Sequence, residues 1–148
     1  MTVLKRTPCV GICSTTYGDL VCRGCKRFAH EIVQWNGFDS PQRGAVWQRL
    51  TELREGAVCQ FVVVVDGEIL QSRALELQVV EDATRNVESL VYETLKRAVR
   101  VDALDMCALG LRALDGNTDP LALLESIERE FYDRSIAQYE HDFHTLAQ

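Results

Sequence analysis

The feature that most constrains how this chain can fold is a cluster of cysteines near its N-terminus. Two closely spaced pairs are joined by a short loop, in the pattern Cys9-x3-Cys13-x8-Cys22-x2-Cys25. Zinc–sulfur bonds of about 2.3 Å require bound thiolates about 4 Å apart, and residues so close in sequence reach that separation only where the backbone turns sharply. Gly11 and Gly24 lie within the two pairs and permit such turns. The pattern predicts that all four cysteines bind one metal centre, around which the local fold forms.

The cysteine pattern leaves the kind of metal centre open. Four-thiolate sites hold either zinc or iron–sulfur clusters. Two tight pairs favour zinc by a small margin, because the cysteines of a cluster attach to irons spread over a wider cage. Thiol redox chemistry at Cys22 and Cys25 is a weaker alternative, since a redox pair usually opens a helix after a buried strand and Cys22 follows a polar loop. If all four cysteines bind the metal, no coordination position remains open for a substrate. We therefore expect no enzyme activity.

Composition places the chain among globular proteins, because 47% of its 148 residues are hydrophobic and 26% are charged. No apolar run approaches the roughly 20 residues of a membrane-spanning helix, and the first residues lack the apolar core of a signal peptide. These features predict a soluble cytoplasmic protein. The reducing cytosol then argues against a disulfide framework. Cys59 and Cys107 stand apart in apolar contexts and are predicted to be inert buried thiols.

Hydrophobic periodicity and turn residues predict an α+β fold. An N-terminal knuckle with two helices, over about 28–35 and 40–54, forms the predicted domain 1–56. An acidic α/β part, predicted as domain 57–148, is expected to pack against it. Its predicted elements are a strand at 61–65, a short helix at 68–74, a strand near 75–79, helices at 87–99 and 104–114, and a long helix from Thr118 or Asp119. Trp35 and Trp47 are expected to be core residues that join the first two helices.

Charge is distributed unevenly along the chain. Residues 1–56 carry eight Lys or Arg against five Asp or Glu, a balance of +3, and residues 57–148 carry eight against seventeen, a balance of −9. Arg23, Lys26 and Arg27 surround the second cysteine pair. We interpret them as cations that offset the thiolates and donate hydrogen bonds to sulfur. The alternative is a nucleic-acid-binding knuckle that contacts phosphates, which the overall acidity disfavours.

The three histidines give weaker signals. His141 and His144 lie three residues apart on the last helix, which is not the spacing of the helical zinc motif, and no third ligand is indicated. We interpret them as part of a solvated helix end. His30 is expected to lie on the first helix beside the cysteine site, within reach of a sulfur.

Four sequence segments resemble a known family. They are Thr7-Pro-Cys-Val-Gly-Ile-Cys13, Val21-Cys-Arg-Gly-Cys-Lys-Arg27, Glu31-Ile-Val-Gln-Trp35 and Val46-Trp-Gln-Arg-Leu50. Together they resemble the bacterial domain-of-unknown-function family 1289, small cysteine-rich predicted iron–sulfur proteins, over about residues 7–54. The resemblance implies Cys9, Cys13, Cys22 and Cys25 as metal ligands and makes an iron–sulfur cluster nearly as favoured as zinc. It implies no reaction.

Three functional hypotheses follow, in order of preference. The first is a metal-stabilised interaction module that binds a protein partner. The second is an iron–sulfur protein in electron transfer or redox sensing, and the third is an accessory protein that binds nucleic acid through Arg23, Lys26 and Arg27.

Overall fold

A computed structural model describes residues 7–9, 11, 13–79, 87–101 and 105–144 of the chain. The described part is mostly helical, with one small antiparallel sheet, as an α+β prediction requires. Its helices and strands are α1 (Ala29–Gln34), α2 (Ser40–Phe61), β1 (Val62–Val64), α3 (Gly67–Glu76), α4 (Val87–Val101), β2 (Leu111–Ala113) and α5 (Pro120–Tyr139). None of the helices in this part is long and apolar enough to cross a membrane.

The chain divides into two compact units. We call the first the cysteine unit; its described residues lie within 7–53 and 130–144. The second, the sheet unit, comprises the described residues of 54–129. The second half of α5 therefore belongs with the N-terminal cysteines, although it lies far from them in sequence.

Helix α2 begins at a reciprocal cap. The Asp39 carboxylate accepts a hydrogen bond from the Gln42 N–H, and the Gln42 side chain accepts one from the Asp39 N–H, both at 2.9 Å. This capping box satisfies two of the N–H groups that a helix start leaves free. The sequence predicted a helix over about 40–54. Its start is confirmed, whereas its end is not, because α2 continues through Gly56 to Phe61.

The sheet unit contains both strands. β1 pairs with β2 in antiparallel register, with Val63 opposite Arg112. The predicted strand at 61–65 is thus confirmed as β1. The predicted helix at 104–114 is wrong, because a 3₁₀ turn at Cys107–Leu109 leads into β2. Leucine, alanine and arginine there are helix formers, and pairing with the valines of β1 overrides that preference.

Helix α3 begins directly after β1. The Asp66 carboxylate accepts hydrogen bonds from the N–H groups of Glu68 and Ile69, at 3.0 and 3.2 Å, and caps the helix. The helix extends to Glu76, so the predicted strand near 75–79 is wrong. The alternation of Leu75, Leu77 and Val79 marks the end of a helix, and Leu75 is exposed. The predictions of a short helix after β1 and of long helices α4 and α5 are confirmed.

Candidate metal centre

The second cysteine pair lies in a tight hairpin loop. Val21 and Phe28 form an antiparallel bridge at its base. Above the bridge, the Cys22 N–H donates to the Arg27 carbonyl at 2.9 Å, and the Lys26 N–H donates to the Cys22 carbonyl at 2.8 Å. Lys26 takes a left-handed backbone conformation, with φ 65°, which closes the loop. The sharp turn expected between the two cysteines is therefore present.

The Cys22 sulfur is surrounded by hydrogen-bond donors. Cys22 is buried, and burial alone would raise the pKa of its thiol. Backbone hydrogen bonds from Cys25, Ser14 and Gly24 and a side-chain hydrogen bond from Cys25 oppose burial, and together they lower the pKa of Cys22 to about 7. N–H groups that point at a sulfur stabilise its negative charge, whether the thiolate is free or bound to a metal.

Cys25 lies next to Cys22 and is also buried. Burial raises the pKa of the Cys25 thiol, and the negative charge of Cys22 adds to this, while Arg27 opposes it. The Arg27 Nε donates to the Cys25 Sγ at 3.3 Å. Arg27 is itself only 4% exposed, and its guanidinium lies over the Trp35 ring, 5.0 Å from the centroid. A buried cation thus donates a hydrogen bond to the buried Cys25 sulfur.

Lys26 is more deeply buried than Arg27, with 1% exposure. Its ammonium donates to the Gly24 carbonyl at 3.0 Å and lies 5.0 Å from the centre of the Phe131 ring. Arg23 is exposed, pairs with Asp19 at 3.3 Å and lies over the Tyr132 ring. Of the three predicted basic residues, Arg23 is therefore the exposed one, and two are enclosed beside the cysteines.

The first cysteine pair, Cys9 and Cys13, is less buried than the second. Cys9 is exposed, and its sulfur accepts a hydrogen bond from the Gly11 N–H at 3.4 Å. The Cys13 sulfur is 2.8 Å from the Thr15 hydroxyl. In the described part of the chain, no three His, Cys, Asp or Glu side chains form a group that could hold a metal ion. The structure thus brings Cys22 and Cys25 together and does not bring Cys9 and Cys13 into a set of three or more with them.

One contact nevertheless links the first cysteine pair to the second, through Ser14. Ser14 follows Cys13 directly, and its backbone hydrogen-bonds the Cys22 sulfur. The Ser14 hydroxyl also accepts from the Arg23 N–H at 2.8 Å. A 3₁₀ turn at Ser14–Tyr17 ends at Gly18, with φ 100°, within the loop that joins the two cysteine pairs.

A largely buried ion pair supports this loop, and no pattern in the sequence predicted it. Glu31 accepts two hydrogen bonds from the Arg49 guanidinium, each of 2.6 Å, in a bidentate arrangement. It also accepts the Phe28 N–H at 2.8 Å, which caps α1. The Arg49 guanidinium lies 3.9 Å from the centre of the Phe28 ring. The signal available in the sequence was the glutamate at the third position of α1.

The end of α5 contacts the same region through aromatic side chains. Phe28 packs edge-on against Tyr139 and Phe143, with ring centres 5.1 and 5.7 Å apart. His30 is exposed, and its ring packs on Phe143 at 5.1 Å. It therefore contacts an aromatic ring where sequence analysis expected a sulfur. Trp35 is buried, as predicted.

The other candidate residues lie elsewhere. Cys59 and Cys107 are both exposed, so the prediction that they are buried thiols is wrong. Apolar neighbours in sequence do not fix which way a side chain on a helix faces. His141 is exposed and lies 3.2 Å from Asp142, and the side chain of His144 is outside the described residues.

A comparison of the sequence with known families gives one result. Residues 7–54 match the model of a family described as a protein of unknown function, DUF1289. No curated protein and no solved structure matches the chain. The matched segment contains all four clustered cysteines, α1 and the first part of α2. The resemblance in sequence is thereby confirmed: residues 7–54 of this chain match the DUF1289 family model.

Proposed function

We propose that this protein binds one metal centre through Cys9, Cys13, Cys22 and Cys25, and that the centre stabilises a module for interaction with another protein. The proposal involves no catalytic reaction. The observation that carries it is the chain of hydrogen bonds from Arg27 to Cys25 and from Cys25 to Cys22. A buried guanidinium needs a compensating anion. Thiolates held by a metal would supply that charge at neutral pH.

The donor set fits a thiolate-bound metal. Cys22 receives three backbone hydrogen bonds, which is the environment that stabilises a metal-bound sulfur. Cys9 and Cys13 would complete the set by turning away from Gly11 and Thr15, the residues that they contact now. Zinc is slightly favoured over an iron–sulfur cluster, because the two pairs are narrow. The centre would supply local folding energy, because a metal holds together parts of the chain that have little apolar core.

Metal analysis of anaerobically purified protein tests this proposal. We expect one metal centre per chain, with zinc giving a colourless protein. Cys22→Ser should lower the metal content strongly, because it removes a ligand. Cys59→Ser is the matched control, since Cys59 lies in the sheet unit and is exposed, and this variant should keep its metal. Full metal retention in Cys22→Ser would disprove the assignment. A brown protein with iron and sulfide would assign an iron–sulfur cluster.

Nucleic-acid binding has less support from the described residues. Lys26 and Arg27 are buried, and Arg23 is engaged with Asp19 and Tyr132. Residues 57–148 carry a balance of −9, which repels phosphates. We expect no appreciable affinity at physiological salt, and a gel-shift series at two salt concentrations checks this. Binding that weakens steeply with salt and with Arg23→Ala would favour the nucleic-acid function.

A further inference from the structure

An apolar groove lies in the sheet unit, away from the four clustered cysteines in sequence. Its volume is about 420 Å³, and all three residues of β1 line it, together with Val58 of α2 and with Glu88 and Val91 of α4. Successive side chains of a strand point to opposite faces of the sheet. Three consecutive strand residues can therefore line one cavity only if it runs along the edge of the strand. The groove follows the edge of β1.

The backbone of β1 has hydrogen-bonding groups directed to that edge. The Leu114 N–H donates to the Phe61 carbonyl, and the Val65 N–H donates to the Gly110 carbonyl, both at 2.8 Å. Hydrogen-bonded pairs alternate along an antiparallel ladder, so Val63 is the next residue bonded to β2. The N–H and C=O of Val64 consequently point away from β2. Within the described residues, β1 is paired on one side.

The chemistry of the groove selects the kind of segment that could pair there. Its walls are valine side chains, and Glu88 contributes a carboxylate, to which the Cys59 thiol donates at 3.5 Å. Residues 54–129 carry eight Lys or Arg against fourteen Asp or Glu, a balance of −6. An incoming strand with apolar side chains at alternate positions and a basic side chain near Glu88 would complement the groove.

We propose that the edge of β1 opposite β2 binds an extended segment of a partner protein as an added strand, with apolar side chains in the groove and a lysine or arginine facing Glu88. Backbone hydrogen bonds would supply affinity, and the groove would supply specificity. A second copy of this chain fits less well, because it would bring two acidic units and two Glu88 carboxylates together. The inference names the partner for the interaction role proposed above and rests on that role, but it does not require the metal centre.

A synthetic peptide tests the proposal on the full chain. The probe is acetyl-Val-Lys-Val-Thr-Val-Lys-amide carrying a fluorophore, and its anisotropy is measured against protein concentration. The matched control has glutamate in place of both lysines. We expect saturable binding of the lysine peptide, weaker binding of the glutamate peptide, and protection of the Val64 amide from hydrogen exchange. Failure to bind at concentrations up to about 1 mM would overturn the proposal.

Two variants and one control test whether the peptide binds at the groove. Val64→Pro removes the N–H that faces the groove and leaves the Val63–Arg112 pair intact, because proline is tolerated on strand edges. We expect affinity to fall by about tenfold, the effect of one lost hydrogen bond and a poor fit of the ring. Val65→Ile is the control, because Val65 is exposed and does not line the groove, and this variant should bind normally. Glu88→Lys should reduce affinity for the lysine peptide and reverse the preference between the two peptides.

Three results would contradict the docking site. They are equal binding by Val64→Pro and Val65→Ile, a concentration-dependent dimer that Val64→Pro abolishes, and peptide binding that appears only after residues 1–6 are removed. The second would assign the edge to another copy, and the third would assign it to the chain's own N-terminus. Metal content is measured on the same samples. Intact metal without peptide binding rejects the docking site alone, and peptide binding without metal rejects the metal centre alone.

Discussion

At the scale of single residues, Arg27 connects the cysteine pair to the core of the cysteine unit. It donates to the Cys25 sulfur and lies over the buried ring of Trp35. The backbone carbonyl of Trp35 also accepts two hydrogen bonds from the Arg43 guanidinium, at 3.1 and 3.0 Å. The sequence predicted that cations near the cysteines would donate to sulfur. It could not tell Arg27 from Arg23, because one is buried and the other exposed only once the hairpin has formed.

Arg27→Gln should weaken metal binding by about 10- to 100-fold, the effect usual for a residue that supports a ligand. The charge that stabilises the Cys25 thiolate would be lost, although glutamine keeps a donor. Competition with a chelator measures the change. Arg23→Gln is the control, because the Arg23 side chain is exposed and pairs with Asp19. Equal metal affinity in wild type and Arg27→Gln would mean that Arg27 packs on Trp35 but does not stabilise the metal-bound thiolates.

Gly110 is required at the turn before β2. It has φ 72°, and a Cβ atom there would lie 2.4 Å from the Asp66 carbonyl oxygen. We expect Gly110→Ala to lower the free energy of unfolding by about 3 kcal/mol, through a strained backbone and the displaced carbonyl. Gly116 has a similar φ of 81° but no neighbour within 4 Å. Gly116→Ala should therefore cost only about 1 kcal/mol.

Urea unfolding of both glycine variants provides the comparison. The difference between them isolates the close approach of Asp66, since both carry the same backbone penalty. If the two variants are equally stable, the close approach of Gly110 to Asp66 does not contribute to the free energy of unfolding.

At the scale of elements, what the sequence could predict depends on how local the cause is. Helix α4 has a strong apolar stripe, and α5 begins at Asp119 and Pro120, whose cap is local, so both were predictable. β2 was not, because Leu111–Ala113 becomes a strand only through pairing with β1, far away in sequence. The extension of α2 past Gly56 likewise depends on tertiary packing, with Ala57 and Val58 buried.

An ion pair between Glu31 and Arg49 joins α1 to α2. Both oxygens of the buried Glu31 carboxylate bind Arg49, and one also caps α1 at Phe28. Glu31→Gln keeps the cap but leaves the Arg49 charge without its anion. Because one partner of a buried pair is removed, we expect a loss of about 2–4 kcal/mol in the free energy of unfolding.

The control for this pair is Glu76→Gln. Glu76 binds Arg73 at 2.7 Å, but the two side chains are 62% and 36% exposed. Solvent screens such a pair, and its loss should cost less than about 1 kcal/mol. Unfolding curves measured on metal-loaded protein compare the two variants. A similar small effect for both would show that Glu31 and Arg49 do not hold α1 on α2.

At the scale of the whole molecule, both long helices have residues in each unit. α2 contributes residues 40–53 to the cysteine unit and 54–61 to the sheet unit, and α5 contributes 130–139 and 120–129 respectively. The sequence predicted packing of the N-terminal segment against later parts of the chain, with Trp35 in a core. It could not predict that α5 would supply Phe131 and Tyr132 to Lys26 and Arg23, because these are pairings between distant segments.

This sharing of helices predicts that metal loss spreads through the chain. Removal of the metal should release the loop at 22–27 and with it the contacts of Lys26 on Phe131, so amides at 130–139 should exchange faster. Because helix formation is cooperative, we expect reduced protection to extend into 54–61 and 120–129. Hydrogen exchange of metal-loaded and metal-free protein measures this, with Cys22→Ser before and after chelator as the control that should not change. Unchanged protection throughout 54–129 would mean that the sheet unit is stable by itself, and that the metal centre cannot influence a partner bound at β1.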